Sequence, residues 1–205
     1  MPASDDPTRG LSAAILAGGR ARRLGGADKW ALVVGGQRIV DRHITLLRRL
    51  AAHVFIVGHT PARFASLQVE VVADLVPDAG PLGGVWSALA ASPAPLVLVV
   101  ACDLPLVTEA LARHLADTLG RHPEADVVVP RDARGLHPLC ACYRTRCAPH
   151  FEARVRAGQF RMLDALAGLV VAEVDPETLR AIDPGGRALT NVNTPEDYAA
   201  IRLAE

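Results

Sequence analysis

The chain has 205 residues, of which 50% are hydrophobic, so it is long enough to form one domain with a substantial core. Its 22 basic and 22 acidic residues give a net charge of zero, which provides no general attraction to nucleic acid or to an anionic membrane. No apolar run is long enough to cross a bilayer, and segment 1–10, MPASDDPTRG, lacks the apolar centre of a secretory signal. We therefore predict a cytoplasmic protein with no nucleic-acid or membrane partner, in which residues 1–10 are a disordered tail and residues 11–205 form one domain.

Short apolar runs alternate with helical patterns along the chain, which is typical of a mainly parallel sheet. The predicted strands cover residues 12–16, 53–57, 70–72, 96–101, 126–129, 138–143 and 170–174. The predicted helices cover residues 39–51, 83–91, 108–119, 144–156, 161–167 and 195–203. The last helix has a strong start signal, because Thr194 can cap it and Pro195 suits its first position. The pattern predicts a single-domain α/β fold, a Rossmann-like three-layer sandwich around a mainly parallel sheet.

The segment that follows the first predicted strand is rich in glycine and in basic residues. It reads LAGGRARRLGGADK from Leu16 to Lys29 and contains four glycines and three arginines. Tight turns, accessible backbone amides and fixed cations are what a polyphosphate needs. The segment is not a Walker loop, because Trp30 stands after Lys29 where Ser or Thr is required, and it lacks the G-x-G-x-x-G register of dinucleotide folds. We predict that it binds a nucleotide; the alternative is an ordinary glycine-rich turn on a basic surface.

A carboxylate, Asp103, ends the most hydrophobic predicted strand of the chain. Open α/β sheets bind ligands beyond the carboxyl ends of their strands, where the glycine-rich loop also lies. A carboxylate at that position is costly unless it meets water, a donor or a cation. We hypothesise that Asp103 binds Mg²⁺ jointly with a triphosphate, since Mg²⁺ usually takes one or two carboxylates together with phosphate oxygens. The alternative is that Asp103 only caps the turn at Leu104 and Pro105.

A second acidic residue, Asp74, follows another predicted strand and precedes the glycine-rich turn GPLGG at residues 80–84. Asp74 could accept hydrogen bonds from the base or the sugar of a nucleotide. Gly83 and Gly84 would let the base or the ribose lie close to the backbone. The alternative is a simple junction between loop and helix, stiffened by Pro81.

The four cysteines do not form a common zinc motif. Cys140, Cys142 and Cys147 have the spacing C-x-C-x4-C, which lacks the paired C-x2-C arms of such sites. We predict that the cysteines are reduced and partly buried, and that Cys102 belongs to the core.

The glycine-rich segment resembles the signature L-A-G/A-G-x-x-x-R-M/L-G-x-x-K of sugar-nucleotide and cofactor nucleotidyltransferases. Arg23 and Lys29 fall on its basic positions, and the Gly18-Gly19 pair points to the molybdenum cofactor guanylyltransferases. Four further segments come after this signature in that family. In order they are an Asp with GPL-A/G-G after it, C-D-x-P, H/Q-P-L, and N-V/I-N-T-P-E-E/D. The matching segments here occupy residues 74–84, 102–105, 135–143 and 189–197.

This resemblance implies a nucleotide-diphospho-sugar transferase-like fold and an enzyme that transfers GMP from GTP to the terminal phosphate of the molybdopterin cofactor. Mg²⁺ is the implied cofactor, and molybdoenzymes or cofactor-insertion proteins are implied later partners. The implied catalytic residues are Arg23, Lys29 and Asp103. The implied nucleotide-binding residues are Leu16, Ala17, Gly18, Gly19, Lys29, His59, Asp74, Gly83 and Asp103, and the implied metal ligands are Asp103 and Asn193.

Some positions depart from the family pattern or allow a second interpretation. His59 stands where many members have asparagine, so it either binds the nucleotide or is an exposed loop histidine. The amide oxygen of either Asn191 or Asn193 could reach the metal or the acceptor, but this segment is also explained as a helix cap by Thr194 and Pro195. Arg161 is similar to a family arginine, and it either pairs with an acceptor phosphate or is a solvated helix residue.

Two other functions remain as alternatives at this stage. The first is a cytidylyltransferase or a sugar-phosphate nucleotidyltransferase of the same fold. The second is a non-catalytic carrier that delivers the molybdenum cofactor. Mg²⁺-dependent release of pyrophosphate would distinguish an enzyme from a carrier.

Overall fold

The computed structural model describes residues 10–18 and 28–203. The predicted tail except Gly10, and the predicted site residues Gly19 and Arg23, lie outside the described residues. Within the described part of the chain, no helix is long and apolar enough to cross a membrane.

Ten strands and six α-helices are present in the described residues. The strands are β1 (Leu11–Leu16), β2 (Val33–Val34), β3 (Gln37–Arg38), β4 (His53–Gly58), β5 (Glu70–Ala73), β6 (Leu96–Ala101), β7 (Val127–Asp132), β8 (Gly135–Leu136), β9 (Cys140–Arg144) and β10 (Val171–Val174). The helices are α1 (Ile39–Leu47), α2 (Gly80–Ala91), α3 (Glu109–Arg121), α4 (Ala148–Arg156), α5 (Pro176–Ile182) and α6 (Pro195–Leu203). Short 3-10 turns lie at Lys29–Ala31, Pro61–Phe64, Thr145–Cys147 and Asp164–Leu166.

The main sheet has the strand order β10-β7-β9-β6-β1-β4-β5, with β8 added to β7. The pairs β1–β4, β1–β6, β4–β5 and β7–β10 are parallel, whereas β9 runs antiparallel to both β6 and β7. The antiparallel direction of β9 follows from its short connection to β7, because a parallel return needs a crossover of a dozen or more residues. The predicted mainly parallel sheet is confirmed.

Helices cover both faces of this sheet and make three layers. Alternate residues of β1 point to opposite faces, so Ala13 and Ile15 join one core and Ala14 and Leu16 join the other. The first core contains α1, α3 and α5, and the second contains α2 and α4. Because both faces are covered, every residue of β1 is buried. The predicted three-layer α/β sandwich is therefore confirmed.

All seven predicted strands are present, and their bounds differ from the prediction by at most three residues. Five of the predicted helices are also present. Helix α1 is shorter than predicted, α2 begins three residues earlier at Gly80, and α4 is preceded by a 3-10 turn. Within the described residues the four cysteines are free and buried, as predicted. Burial raises the pKa of Cys102, Cys140 and Cys142 to about 12, so these thiols stay protonated at neutral pH.

The predicted helix over residues 161–167 is wrong. This segment contains only the 3-10 turn Asp164–Leu166, and Gly168 follows it with a φ of +91°. Ala165 and Leu166 are buried and Met162 packs partly against the core, which is too little apolar contact to offset the cost of starting a helix.

Sequence patterning also missed the β2–β3 hairpin and helix α5. Gly35 and Gly36 turn the hairpin with φ values of +57° and +75°, as a two-residue turn requires. Asp175 caps α5 by accepting hydrogen bonds from the next two free backbone amides, those of Glu177 and Thr178. Both signals, Gly-Gly and Asp-Pro, are visible in the sequence.

Candidate functional site

The carboxyl ends of β1, β4, β5 and β6 meet at one edge of the sheet. The Ala17 amide donates to Val57 of β4 at 2.9 Å, and the Cys102 amide donates to Leu16 at 3.0 Å. The chain therefore leaves β1 between its two neighbouring strands. Gly18 follows as an exposed residue at this edge. The beginning of the glycine-rich segment thus lies where open α/β sheets bind their ligands.

One group of predicted residues lies on the β4–β5 side of this edge. The Asp74 carboxylate is 4% exposed, and its Oδ2 lies 3.8 Å from His59 Nδ1. A Cβ at Gly18 would lie 3.8 Å from His59 Nε2. The structure therefore brings Gly18, His59 and Asp74 together.

Gly83 lies in the first turns of α2 beside this group. A Cβ at this position would come within 2.7 Å of the Ala79 Cβ and 3.3 Å of Asp74 Oδ1. Glycine is thus required here by the close packing of α2 on the segment that follows β5. The requirement for glycine at position 83 is therefore explained by the junction between the loop and helix α2. The same junction places Gly83 against Asp74.

A second group lies on the β6 side and centres on the Lys29 ammonium. Lys29 Nζ lies 2.6 Å from Asn193 Oδ1 and 3.3 Å from Asp103 Oδ2. The Lys29 and Asp103 side chains are 21% and 20% exposed, so the pair is partly shielded from water. Asp103 has no basic neighbour in the sequence, and the fold supplies one from 74 positions away. Lys29, Asp103 and Asn193 thus form a single cluster.

The Asp103 carboxylate has an oxygen that its neighbours do not satisfy. Its Oδ1 is buried and has no hydrogen-bond partner within residues 10–18 and 28–203, whereas Oδ2 faces Lys29. Among the described residues the carboxylate thus contacts Lys29 rather than the backbone of the turn at residues 104–105. A buried, unpaired carboxylate oxygen is costly and would be satisfied by a cation.

The donor set at this edge fits a divalent cation that is shared with phosphate. Carboxylate and amide oxygens, here those of Asp103 and Asn193, are ligands that Mg²⁺ accepts. The described residues contain no group of three or more His, Cys, Asp or Glu side chains that could hold a metal. Mg²⁺ bound with a nucleotide usually takes only one or two carboxylates from the protein, and Asp103 is such a carboxylate.

The segment around Asn193 caps α6 and also reaches the cluster. Asp197 Oδ2 accepts from the amides of Asn193 and Thr194, and Thr194 Oγ1 accepts from the Asp197 amide at 3.1 Å. The predicted cap at Thr194 is therefore confirmed. These bonds use the backbone of Asn193, which leaves its side-chain oxygen for Lys29.

His43, which sequence analysis did not select, holds the backbone behind Asp103. It lies on α1, it is buried, and its Nε2 lies 2.9 Å from the Leu104 carbonyl oxygen. Burial lowers the pKa of His43 to about 4, so the ring is neutral and its Nε2–H donates to that carbonyl. The Val192 amide donates to the Asp103 carbonyl at 2.8 Å from the other side. The position of His43 among the apolar residues of α1 was the sequence signal that could have identified it.

A hairpin at the end of β7 borders the same edge. Arg134 Nη2 donates to Asp132 Oδ2 at 2.7 Å and to the Leu189 carbonyl at 2.9 Å, so the hairpin is tied to the segment that carries Asn193. Burial raises the pKa of Asp132, but hydrogen bonds from Arg134 and His137 outweigh this effect and hold the pKa at about 2.

Arg161 does not lie in a helix, so the solvated-helix interpretation is wrong in that respect. Its side chain is 84% exposed, and its Nε lies 3.7 Å from Asp164 Oδ2. No contact in the described part of the chain joins Arg161 to the Lys29 or Asp74 groups.

The three-layer fold carries the Lys29 and Asp74 groups at the edge where open α/β sheets bind their ligands, so the chain has the architecture of a ligand-binding α/β protein. Comparison with known proteins specifies the family. The sequence profile of the MobA-like NTP transferase domain matches residues 13–170, which is more than half of the chain. The protein belongs to this family.

Relatives named as molybdenum cofactor guanylyltransferases match most of the chain. A probable molybdenum cofactor guanylyltransferase from Pelotomaculum thermopropionicum is 36% identical over 189 residues, which is 92% of this chain and 90% of the relative. A molybdenum cofactor guanylyltransferase from Desulfosudis oleivorans is 30% identical over 93% of both chains. The resemblance seen in the sequence motifs is therefore confirmed.

Solved structures show the same fold. The crystal structure of molybdopterin-guanine dinucleotide biosynthesis protein A from Archaeoglobus fulgidus has a TM-score of 0.82 at 24% identity, and covers 94% of this chain and 97% of its own. A CMP:2-keto-3-deoxy-manno-octonic acid synthetase has a TM-score of 0.72 at 12% identity over 95% of this chain and 97% of its own. The predicted nucleotide-diphospho-sugar transferase-like fold is confirmed.

Proposed function

We propose that this protein is a molybdenum cofactor guanylyltransferase. It transfers GMP from GTP to the terminal phosphate of the molybdopterin cofactor and releases pyrophosphate. The observation that carries this proposal is the contact of Lys29 with Asp103 and Asn193 beside the glycine-rich segment. It is supported by the relatives named molybdenum cofactor guanylyltransferase, which match over nine-tenths of this chain.

The nucleotide occupies the carboxyl edge of the sheet in this proposal. The backbone from Leu16 to Gly19 holds the nucleoside and phosphates, and Lys29 and Arg23 neutralise the triphosphate. On the β5 side, His59, Asp74 and Gly83 contact the base or the ribose. His59 Nδ1 and Asp74 Oδ2 are 3.8 Å apart, which is close enough for both side chains to contact one ligand.

Asp103 and Asn193 would hold Mg²⁺ together with phosphate oxygens, and the ion would supply Lewis-acid polarisation of the reacting phosphate. Lys29 provides a fixed positive charge beside Asp103 where negative charge develops. His43 and the Val192 amide hold the backbone around Asp103, so that the carboxylate is preorganised. The acceptor phosphate is already anionic, so no side chain has to act as a general base.

The cellular setting belongs to the same proposal. We place the protein in the cytoplasm, with GTP and the molybdopterin cofactor as substrates. Molybdoenzymes or cofactor-insertion proteins would then take the product.

Calorimetry with GTP, ATP, CTP and UTP, each with and without Mg²⁺, is the first test. Selective, Mg²⁺-assisted binding of GTP is expected, followed by pyrophosphate release when the molybdopterin cofactor is added. Selective binding of CTP would instead assign the protein to the cytidylyl branch. Binding of GTP without pyrophosphate release would favour a carrier.

A further inference from the structure

Ser87 is a buried hydroxyl that contacts the proposed base-binding group. It lies on α2 and is fully buried. Its Oγ lies 3.0 Å from Asp74 Oδ1 and 2.8 Å from the Gly83 carbonyl oxygen. The Leu75 amide donates to the same Oγ at 2.9 Å. One hydroxyl therefore joins helix α2 to the segment that follows β5.

The single proton of this hydroxyl has two candidate acceptors. The Gly83 carbonyl lies four residues before Ser87 in α2, so it already accepts the helical Ser87 N–H. Asp74 Oδ1 is the favoured acceptor, because a carboxylate that is 4% exposed is costly to bury without hydrogen-bond donors. The Ser87 proton is thus assigned to Asp74, while Ser87 accepts from Leu75.

The other oxygen of Asp74 faces the edge where the nucleotide is placed. Oδ2 lies 3.8 Å from His59 Nδ1, which is longer than a hydrogen bond. His59 in turn lies against Gly18, at the start of the glycine-rich segment. A ligand at this edge can therefore present donors to a carboxylate whose orientation is held from behind.

Guanine presents the donors that such a carboxylate prefers. Its N1–H and its 2-amino group lie side by side, whereas adenine and cytosine pair a donor with an acceptor along the same edge. A carboxylate accepts only, with capacity for about four hydrogen bonds over its two oxygens. Asp74 can thus keep the Ser87 bond and still accept both donors of guanine.

We propose that Ser87 is a positioning residue for guanine selection: its hydroxyl holds the Asp74 carboxylate so that it accepts from N1–H and the 2-amino group of the base. This inference rests on the proposed function. It adds a residue that does not touch the nucleotide but sets which base is accepted.

The test compares GTP with inosine triphosphate, which lacks only the 2-amino group. Calorimetric affinities for both nucleotides are measured with Mg²⁺ for the wild-type protein, Ser87→Ala and Ser87→Cys. Sites built to hydrogen-bond a group reject the analogue that lacks it, so we expect the wild type to prefer GTP by about tenfold or more. In Ser87→Ala the preference should fall to about threefold or less. Ser87→Cys keeps a side chain at least as large as that of serine but donates weakly, so it should lose the preference as well.

Ser12 provides the matched control. It is also fully buried, in β1, and its Oγ has no hydrogen-bond partner in the described part of the chain. Ser12→Ala should therefore keep the wild-type preference for GTP. Thermal unfolding of each variant verifies that the protein is folded.

Each outcome has a defined meaning. An unchanged GTP preference in Ser87→Ala would overturn the role of Ser87 while leaving the proposed function intact. Preservation of the preference in Ser87→Cys would also overturn it, because the effect would then be one of volume. 2′-Deoxy-GTP is measured in the same way. If Ser87→Ala lowers the preference for GTP over 2′-deoxy-GTP but not the preference over inosine triphosphate, Asp74 contacts the ribose and the base assignment is contradicted. Failure of the wild type to bind GTP selectively would contradict the proposed function itself.

Discussion

Replacement of Asp103 by asparagine separates the catalytic role of this carboxylate from its role in stability. The substitution keeps the shape of the side chain and removes its charge. In the native protein one carboxylate oxygen is buried without a partner among the residues that the structure describes, and the other lies 3.3 Å from Lys29 Nζ. The first oxygen costs stability and the second contributes to it.

These two effects on stability nearly cancel. The Lys29–Asp103 pair contributes about 0–1 kcal/mol, because both side chains are partly exposed and solvent screens them. An unpaired buried polar group costs about 1–3 kcal/mol, and the cost is smaller for a neutral amide than for a carboxylate. We therefore expect Asp103→Asn to change the free energy of unfolding by less than about 2 kcal/mol.

The effect on turnover should be far larger. If Asp103 holds the metal and supplies charge at the reacting phosphate, the substitution should lower kcat by about 10³-fold or more, which is about 4 kcal/mol in the activation free energy. Asp103→Ala should abolish turnover.

Two assays on the same samples measure both quantities: pyrophosphate release gives kcat, and thermal or urea unfolding gives stability. Glu173→Gln is the control, since it removes an ion pair with Arg131 (Nη2 to Oε1, 2.8 Å) on the edge strand β10. The control should keep the wild-type rate. A near wild-type rate in Asp103→Asn would refute the metal assignment, and a large loss of stability would refute the cancellation argued from its burial.

Three further predictions use other parts of the molecule. Lys29→Ala should raise the KM for GTP by about tenfold or more, because it removes a cation from the triphosphate site; an unchanged KM would contradict its phosphate role. His43 has a pKa of about 4 in the folded protein against 6.5 in its ordinary state, so the unfolded chain binds more protons between these values. The stability that this histidine contributes is present above pH 6.5 and is lost as the pH falls toward 4, by an amount on the order of 3 kcal/mol. Urea unfolding of the wild type and of His43→Gln across this range measures the difference, and parallel pH curves for the two proteins would contradict the assignment. Gly83→Ala should weaken GTP binding and lower stability by about 1–3 kcal/mol, because its Cβ would come within 2.7 Å of the Ala79 Cβ. Gly120→Ala in α3, where a Cβ meets nothing within 4 Å, should stabilise the protein by about 0.5–1 kcal/mol, and equal effects of the two substitutions would argue against the packing reason.

Local patterns were sufficient to predict most of the fold. Continuous apolar runs such as Leu96–Ala101 identify strands that are buried on both faces, and their bounds were predicted closely. The direction of β9 could have been deduced from its short connection to β7. The segment 161–167 misled because its composition suits a helix, while its burial, which the sequence does not show, is too small to support one.

The sequence motifs selected residues of the candidate site, but they did not predict how those residues contact one another. The motifs selected Lys29, Asp103 and Asn193, yet their contact depends on separations of 74 and 164 positions, which no local pattern encodes. His43 and Ser87 were missed for a related reason. The sequence shows His43 as a polar residue in the apolar stripe of α1, and Ser87 as a hydroxyl in an apolar helix. It does not show the Leu104 carbonyl or the Asp74 carboxylate that the fold places beside them.

The loop that leads into α6 has a practical consequence for shortened versions of the protein. The family profile ends at residue 170, but the Val192 amide that braces Asp103 and the Asn193 oxygen that meets Lys29 both lie beyond it. A fragment cut at that limit would retain the glycine-rich segment and most of the sheet. It would lose the contacts that Val192 and Asn193 make with Asp103 and Lys29, together with the edge strand β10. Residues 171–205 therefore supply two of the contacts around Lys29 and Asp103, and we expect a catalytically active fragment to need α6.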